Sequence, residues 1–196
     1  MEAASTPYVY EFILPTGSIL SSFPAAGGAG AWGITAYTSS AIYISNNRTS
    51  WIYKVTSTGS LMASFLCPVA GPADMNLSWL SGYLNIAIPG KNAIAIVTTA
   101  GSLVGTFAAP GSRPTACCGY QTTLIADSVT HTVYEDGVPV ITGIETPVGA
   151  DEEATTDNDY NVYLLAVDDA TDRVYLYKKT VAVAPASVGR VKTLFK

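Results

Sequence analysis

Short runs of β-branched, aromatic and aliphatic residues recur along the chain and are separated by turns rich in Gly, Asn, Asp and Pro. Runs of this length and composition are typical of β-strands. No predicted helix lies between them, which excludes folds that are built from βαβ units. The pattern therefore predicts an all-β chain of many short strands.

A turn sequence that contains glycine recurs at a fixed interval. Successive copies are 42 residues apart, and a last copy follows after 46; their glycines are Gly17, Gly59, Gly101, Gly143 and Gly189. Phenylalanine stands six positions after every glycine of this set except the fourth, where Gly149 takes its place. A tight hairpin needs a positive φ, which glycine adopts at little cost. We predict a hairpin at each copy, followed by a strand whose phenylalanine packs between neighbouring units.

Each copy contains four predicted strands, which is the pattern of a β-propeller blade. We predict a single all-β domain over residues 1–196, a propeller of four-stranded antiparallel blades with about four and a half repeats of about 42 residues. The units are predicted at 8–23 (half a blade), 32–65, 74–107, 115–149 and 150–195. The inner strand of the last unit is predicted to be a loop, because 150–159 is acidic.

Half a unit leaves strand edges unpaired, and open edges attract a partner. Three interpretations stay open at this point. The ring closes as five with a thin first blade, a second chain completes it, or the chain is a segment of a longer propeller.

The order of strands and turns, clearest in 32–72 and 74–114, resembles the repeats of NHL-type and related six-bladed propellers. The resemblance extends over nearly the whole chain and implies the fold. Proteins of that kind include scaffolds that bind proteins or RNA, and enzymes such as the lactonases and the streptogramin lyase. Those enzymes use acidic, Asn or His side chains around the central channel, often with a divalent metal. This sequence departs from them because it contains one histidine.

Charge narrows the range of partners. Charged residues make up 13% of the chain, the net charge is −5 and no Lys/Arg run occurs, so we expect neither nucleic acid nor an anionic membrane surface as a partner. No apolar stretch approaches the 18 residues of a membrane span. The first residues lack the basic and apolar regions of a signal peptide, which leaves the compartment undetermined, with an extracellular location slightly favoured.

The three cysteines do not have the paired spacing of zinc ligands. Buried thiols are the simpler interpretation of Cys67, Cys117 and Cys118. A disulfide from Cys67 to Cys117 or to Cys118 is the alternative.

Candidate catalytic and metal-binding groups are few. His131 would need an orienting carboxylate and a nucleophile or metal, and a solvated turn residue is the simpler account of it. The acidic residues between 151 and 159 could hold Ca²⁺, but their spacing differs from that of an EF-hand and a solvated loop is favoured. We therefore predict no catalytic residue, no metal ligand and no cofactor, with Ca²⁺ or another divalent ion as the alternative.

Polar residues collect at the turns between the second and third strands of the units. In a propeller these turns share a face with the connections between blades, and loops on a rigid scaffold often carry binding. The candidate binding residues are Asn46, Asn47, Lys91, Asn92, Asp127, His131, Asp168 and Asp169.

The sequence favours a non-enzymatic scaffold that mediates binding or assembly through loops on one face. Its expected partner is a protein or a second copy at an open blade edge. One alternative is a metal-dependent hydrolase or lyase, of the lactonase or streptogramin-lyase type, that uses Asp127, Asp168 and channel-facing Asn residues. The other is a lectin-like propeller that binds a glycan.

Overall fold

The computed structural model describes residues 7–13, 18–38, 41–69, 76–80, 82–118, 123–145, 147–154, 162–168 and 173–179. These residues form 17 β-strands and one short 3-10 helix, Pro89–Lys91. Among them, no helix is long and apolar enough to cross a membrane.

The strands form five antiparallel sheets that follow one another along the chain, and we number them blades 1 to 5. Blade 1 contains β1 (Tyr8–Ile13) and β2 (Ser18–Pro24). Blade 2 contains β3 (Ala31–Thr38), β4 (Ala41–Asn46), β5 (Trp51–Thr56) and β6 (Leu61–Leu66). Blade 3 contains β7 (Asn76–Leu80), β8 (Tyr83–Ile88), β9 (Ala93–Val97) and β10 (Leu103–Ala108). Blade 4 contains β11 (Pro114–Cys118), β12 (Leu124–Asp127), β13 (Thr132–Glu135) and β14 (Val138–Thr142), and blade 5 contains β15 (Pro147–Ala154), β16 (Val162–Asp168) and β17 (Arg173–Lys179).

Each sheet is a meander in which consecutive strands are hydrogen-bonded neighbours. The first strands of successive blades pack side by side, β3 against β7, β7 against β11 and β11 against β15. This arrangement confirms the prediction of a propeller of four-stranded antiparallel blades. Among the strands that the structure describes, β15 does not pack against β3 in the way that neighbouring first strands do.

The second strand of each four-stranded blade lies in the core. Every residue of β4 and β12 is buried, as is every residue of β8 except Tyr83. A continuous apolar run bounded by turns is what a strand with both faces covered requires. Among the described residues the core forms four clusters, and three of them join neighbouring blades. One of these joins Tyr43 and Ile52 of blade 2 to Leu84 and Ile86 of blade 3.

A phenylalanine of one blade covers the hairpin glycine of the next. A Cβ on Gly59 would lie 2.5 Å from the ring of Phe23, and a Cβ on Gly101 would lie 2.6 Å from the ring of Phe65. Both glycines have positive φ, +87° and +90°. The predicted packing of the phenylalanines between units is confirmed for these two.

The fourth copy differs from its prediction. Its hairpin is not at Gly143, which follows β14, but at Asp136 and Gly137 between β13 and β14. These two residues have φ of 48° and 83°, as in the two-residue type I′ turn that Asp-Gly favours. Ile141 pairs with Val133 there as Phe65 pairs with Ile52 in blade 2.

This shorter hairpin leaves the preceding phenylalanine less covered. Phe107 is 39% exposed, whereas Phe23 is 9% exposed. Nothing lies within 4 Å of the Cβ position of Gly143, where the fixed period would have placed the contact.

The acidic stretch 150–159 is also corrected, because 150–154 is strand. The strand β15 begins at Pro147 and pairs with β16 from Pro147↔Asp168 to Ala154↔Val162. A neighbouring apolar strand offers a complete hydrogen-bond ladder, and this outweighs the low strand propensity of acidic residues. Residues 155–159 lie outside the described residues.

Replacing Gly59 by alanine is expected to destabilise the protein more than replacing Gly137. Both positions have positive φ, which costs about 1–2 kcal/mol for a residue with a Cβ. Only at Gly59 does the Cβ also meet a buried ring, and overpacking adds about 1–3 kcal/mol. Urea unfolding of the two variants measures the difference. Equal losses would show that the contact between Phe23 and Gly59 does not constrain the blades.

Candidate functional site

In blades 2, 3 and 4 the predicted turns meet the connections between blades at one end of the blade. We call the segment that joins the last strand of one blade to the first strand of the next a link. In blade 2, the side chain of Asn46 is fully buried between its own turn and the link 25–30. Its Oδ1 accepts hydrogen bonds from the amides of Arg48 (2.9 Å) and Thr49 (3.0 Å). Its Nδ2 donates to the carbonyls of Gly27 (3.1 Å) and Ala29 (3.3 Å).

Asp127 stands at the same place in blade 4 and is also fully buried. One carboxylate oxygen accepts from the amides of Val129 and Thr130 and from the hydroxyl of Thr130, at 2.8–3.0 Å. The other accepts from the amide of Ser112 at 2.7 Å and from that of Arg113, both in the link 109–113. The five hydrogen bonds occupy both oxygens.

The choice between Asn and Asp follows from what the link presents. The link 25–30 offers carbonyls, which need the amide donor of Asn46. The link 109–113 offers amides, which need the carboxylate of Asp127. Burial by itself would raise the pKa of Asp127, but the hydrogen bonds from backbone amides and from Thr130 outweigh it and lower the pKa below its ordinary value.

A second recurring position lies directly before the third strand of blades 2, 3 and 4. Ser50, Asn92 and His131 have left-handed φ of 60°, 47° and 55°. Their carbonyls accept from the amides that open the following link, Cys67 (2.8 Å), Ala109 (3.0 Å) and Gly143 (2.9 Å). Ser50 was missed by the sequence analysis. Only its position immediately before a predicted strand could have indicated this role, because serine as a residue type does not predict a left-handed backbone.

The only histidine therefore occupies a structural position. Its imidazole is exposed, and Nδ1 contacts the carbonyls of Ile144 (3.2 Å) and Glu145 in the link after blade 4. The Nδ2 of Asn92 makes the matching contact in blade 3, to the carbonyl of Gly111 at 3.1 Å. The ring of His131 thus contacts the link after blade 4, whereas the carboxylate of Asp127 accepts hydrogen bonds from backbone amides.

The other candidate residues lie on the same connections. Lys91 is exposed and Asn47 is partly exposed. Asp168 is the last residue of β16, and Asp169 lies outside the described residues. The structure joins candidates of different blades at one point, because Asn92 of blade 3 and Asp127 of blade 4 both bond the link 109–113. The role of these residues in binding stays a prediction.

Cys67 and Cys117 are buried thiols in two separate hydrophobic clusters. The Sγ of Cys67 donates to the carbonyl of Val69 at 3.8 Å, and the Sγ of Cys117 donates to that of Asn85 at 3.4 Å. Burial raises the pKa of the Cys67 thiol. The prediction of buried thiols is confirmed for these two, and the side chain of Cys118 lies outside the described residues.

Within the part of the chain that the structure describes, no group of three or more His, Cys, Asp or Glu side chains could hold a metal ion. The acidic residues of β15 belong to a strand whose side chains are not described. The Ca²⁺ alternative therefore stays a prediction.

No protein-family model and no curated protein matches the chain. Solved structures match its fold. Glutaminyl cyclase from Myxococcus xanthus matches with a TM-score of 0.61 and 12% identity over 88% of this chain and 83% of that chain. Virginiamycin B lyase from Staphylococcus aureus, solved with quinupristin, matches with a TM-score of 0.54 and 15% identity over 86% of this chain and 62% of that chain.

A third match is BBS1N in complex with ARL6DN, with a TM-score of 0.50 and 13% identity over 88% of this chain and 57% of that chain. The chain thus spans less than two thirds of the length of the lyase and of BBS1N. At these identities the matches show the fold, which confirms the resemblance to propellers. They include enzymes and a protein-binding propeller, so they do not decide the function.

Replacing Asn46 by aspartate, or Asp127 by asparagine, is expected to destabilise the protein, although the exchanged side chains have equal size. Asp127→Asn places an NH₂ group against two amides, and Asn46→Asp places a carboxylate against two carbonyls. An unsatisfied buried polar group costs about 1–3 kcal/mol. Asp136→Asn is the matched control, because one oxygen accepts from the amide of Thr123 at 2.9 Å and an asparagine keeps that acceptor.

Unfolding measured against pH separates charge from shape at Asp127. Its folded pKa lies below the ordinary 3.8, so its contribution is complete above that value and is lost as the pH falls through the folded pKa. The difference in unfolding free energy between the native protein and Asp127→Asn is expected to shrink below about pH 3.8. A difference that stays constant down to pH 2 would show that the carboxylate charge is not what the link requires.

Proposed function

We propose that this protein is a non-enzymatic propeller scaffold that binds a protein partner, or a second copy of itself, through the open edge of blade 1. The observation that carries the proposal is the structure of this blade. It contains β1 and β2 and no other described strand. By pairing they correspond to the third and fourth strands of a complete blade, since Val9↔Phe23 matches Ile52↔Phe65.

Comparison of blade 1 with blade 2 shows which aromatic side chains of blade 1 are exposed. Tyr10 of β1 corresponds to Tyr53 of β5, which pairs with Ile44 on the second strand. The ring of Tyr53 is covered by the preceding link, where a Cβ on Gly27 would lie 2.5 Å from it. Tyr10 is 52% exposed and the adjacent Tyr8 is 50% exposed. Their ring centroids are 6.2 Å apart.

Two exposed tyrosines beside an open strand edge form a surface suited to a protein contact. Tyrosine is enriched at interfaces because it combines a large apolar area with a polar tip. An edge without neighbouring strand also presents backbone donors and acceptors to another chain. We call this surface, Tyr8 and Tyr10 with the outer edge of β1, the blade-1 edge.

Asp127 and His131 form hydrogen bonds that hold the links between blades, and this supports the non-enzymatic part of the proposal. Both oxygens of Asp127 are occupied by hydrogen bonds within the blade and its link, which leaves no lone pair directed at a cation or a substrate. The ring of His131 contacts two link carbonyls. A hydrolase or lyase that uses these groups would have to break the hydrogen bonds that position the blades.

The exposed turn residues Asn47, Lys91 and His131 remain the candidate contacts on the loop face. They lie on three different blades, so any ligand that touches all of them has to be broad. This favours a macromolecular partner over a small substrate at that face.

Charge introduced at the blade-1 edge is expected to weaken association. Tyr10→Asp adds a desolvation penalty to any partner that covers the ring, and we expect the association constant to fall at least about tenfold, which corresponds to about 1.4 kcal/mol. Sedimentation equilibrium at several concentrations measures self-association. For a partner protein, titration calorimetry gives the same quantity.

Tyr83→Asp is the matched control for this experiment. Tyr83 is a tyrosine of similar exposure, 40%, at the start of β8 in blade 3. Loss of association in both variants, or in neither, would contradict a role for the blade-1 edge. Melting temperatures of the two variants show whether each has remained folded.

A further inference from the structure

The backbone of β1 has one hydrogen-bonding edge that no described strand occupies. The carbonyl of Pro7 accepts a hydrogen bond from the amide of Ala25 at 2.8 Å. This bond determines which residues of β1 direct their backbone groups towards β2 and which direct them away from it. In an antiparallel pair, successive residues direct their N–H and C=O groups to opposite sides. Val9 therefore bonds Phe23 on β2, and the N–H and C=O groups of Tyr8 and Tyr10 point away from β2.

In the complete blades, the second strand occupies the corresponding edge and shows which kind of segment pairs there. Tyr53, the counterpart of Tyr10, faces Ile44 of β4 in an antiparallel pair. The strands in this second position are AIYISN, YLNIAI and LIAD. Their one charged residue is Asp127, which stands at the end of β12 and is held by the turn hydrogen bonds described above. A segment in this position is therefore extended and uncharged over three to six residues.

The stretch of β1 at Tyr8 and Tyr10 also lacks the features by which exposed edges avoid pairing. Proteins protect such edges with lysine, proline, bulges or charges that point along the strand. Glu11 is the only charged residue of β1, and its Oε2 accepts from the hydroxyl of Ser21 on β2 at 2.9 Å. The bulge lies after Glu11, so Tyr8 and Tyr10 precede it on a regular stretch.

We infer that the blade-1 edge binds an extended, uncharged segment of a partner protein by antiparallel strand addition, in the position that the second strand takes in the complete blades. The inference rests on the proposed function and specifies its ligand. The main chain of the segment bonds the N–H and C=O groups of Tyr8 and Tyr10, which is the usual source of affinity in strand addition. Its alternate side chains cover the tyrosine rings and extend the core.

The test uses a synthetic peptide with the sequence of β4, Ala41–Asn46, preceded by two lysines for solubility and a fluorophore. Fluorescence anisotropy with the full chain is expected to show saturable binding. Hydrogen exchange of the Tyr8 and Tyr10 amides, followed by NMR, is expected to slow at least about tenfold when the peptide is bound.

Two N-methylated peptides provide the matched comparison. In blade 2 the amide of Ile44 points towards β5 and that of Tyr43 points towards β3, by the same alternation. Methylation at Ile44 is expected to weaken binding at least about tenfold because it removes a hydrogen bond and adds a clash. Methylation at Tyr43 is expected to leave binding within about twofold. Equal effects of the two methyl groups would overturn strand addition.

The outcomes separate this inference from the proposed function. If Tyr10→Asp abolishes association while no peptide binds, the edge binds through its tyrosine faces and the inference is overturned, but the scaffold proposal stands. If the Tyr8 and Tyr10 amides of the monomeric chain are already protected from exchange, another segment of the same chain occupies the edge. That result overturns both, as does a chain that binds neither the peptide nor a copy of itself.

Discussion

The contact between a phenylalanine ring and the hairpin glycine of the following blade sets the spacing on which the rest of this structure depends. Phe23 lies on Gly59 and Phe65 lies on Gly101, in each case where any larger residue would collide. Burial of such a ring contributes about 1.5–3 kcal/mol, and the ring is shared by two sheets. The repeat is therefore a repeat of interfaces as much as of blades, because Gly59 and Gly101 each accommodate the phenylalanine ring of the preceding blade.

The junction between blades 3 and 4 lacks this contact and is held by polar contacts of the kind that Asn46 also makes between blades 1 and 2. Blade 4 has a two-residue hairpin, and Phe107 remains 39% exposed. At the other end of the same junction, the link 109–113 is bonded from both blades, by Asn92 and by Asp127. Gly111 allows the close approach, because a Cβ there would lie 2.5 Å from the carboxylate. A polar network thus fastens the junction where the aromatic contact is weakest.

The sequence predicts the fold well because its signal is periodic, and it fails where the partner of a residue is distant. Equal spacing indicated Gly143 as the fourth hairpin, although Asp136 and Gly137 carried the stronger local turn signal. The strand at 150–154 depended on the ladder that β16 offers, which its acidic composition does not reveal. Asn46 and Asp127 were recognised as polar turn residues, but the polarity of the links that they bond could be seen only in three dimensions.

The packing of each blade against its neighbours explains why binding is expected at the blade-1 edge rather than on the loop face. In blade 2 every residue of the second strand is buried, and the preceding link covers the ring of Tyr53 on the third strand, while Trp51 is 40% exposed. Blade 1 has neither neighbour among the described residues, so Tyr10 leaves exposed the ring surface that Tyr53 turns towards the link 25–30. No described strand or link makes the contacts at this edge that join one blade to the next, and a partner that makes them needs the chemistry of a buried strand. The loop face, by contrast, has already used its most strongly bonding groups to hold the links.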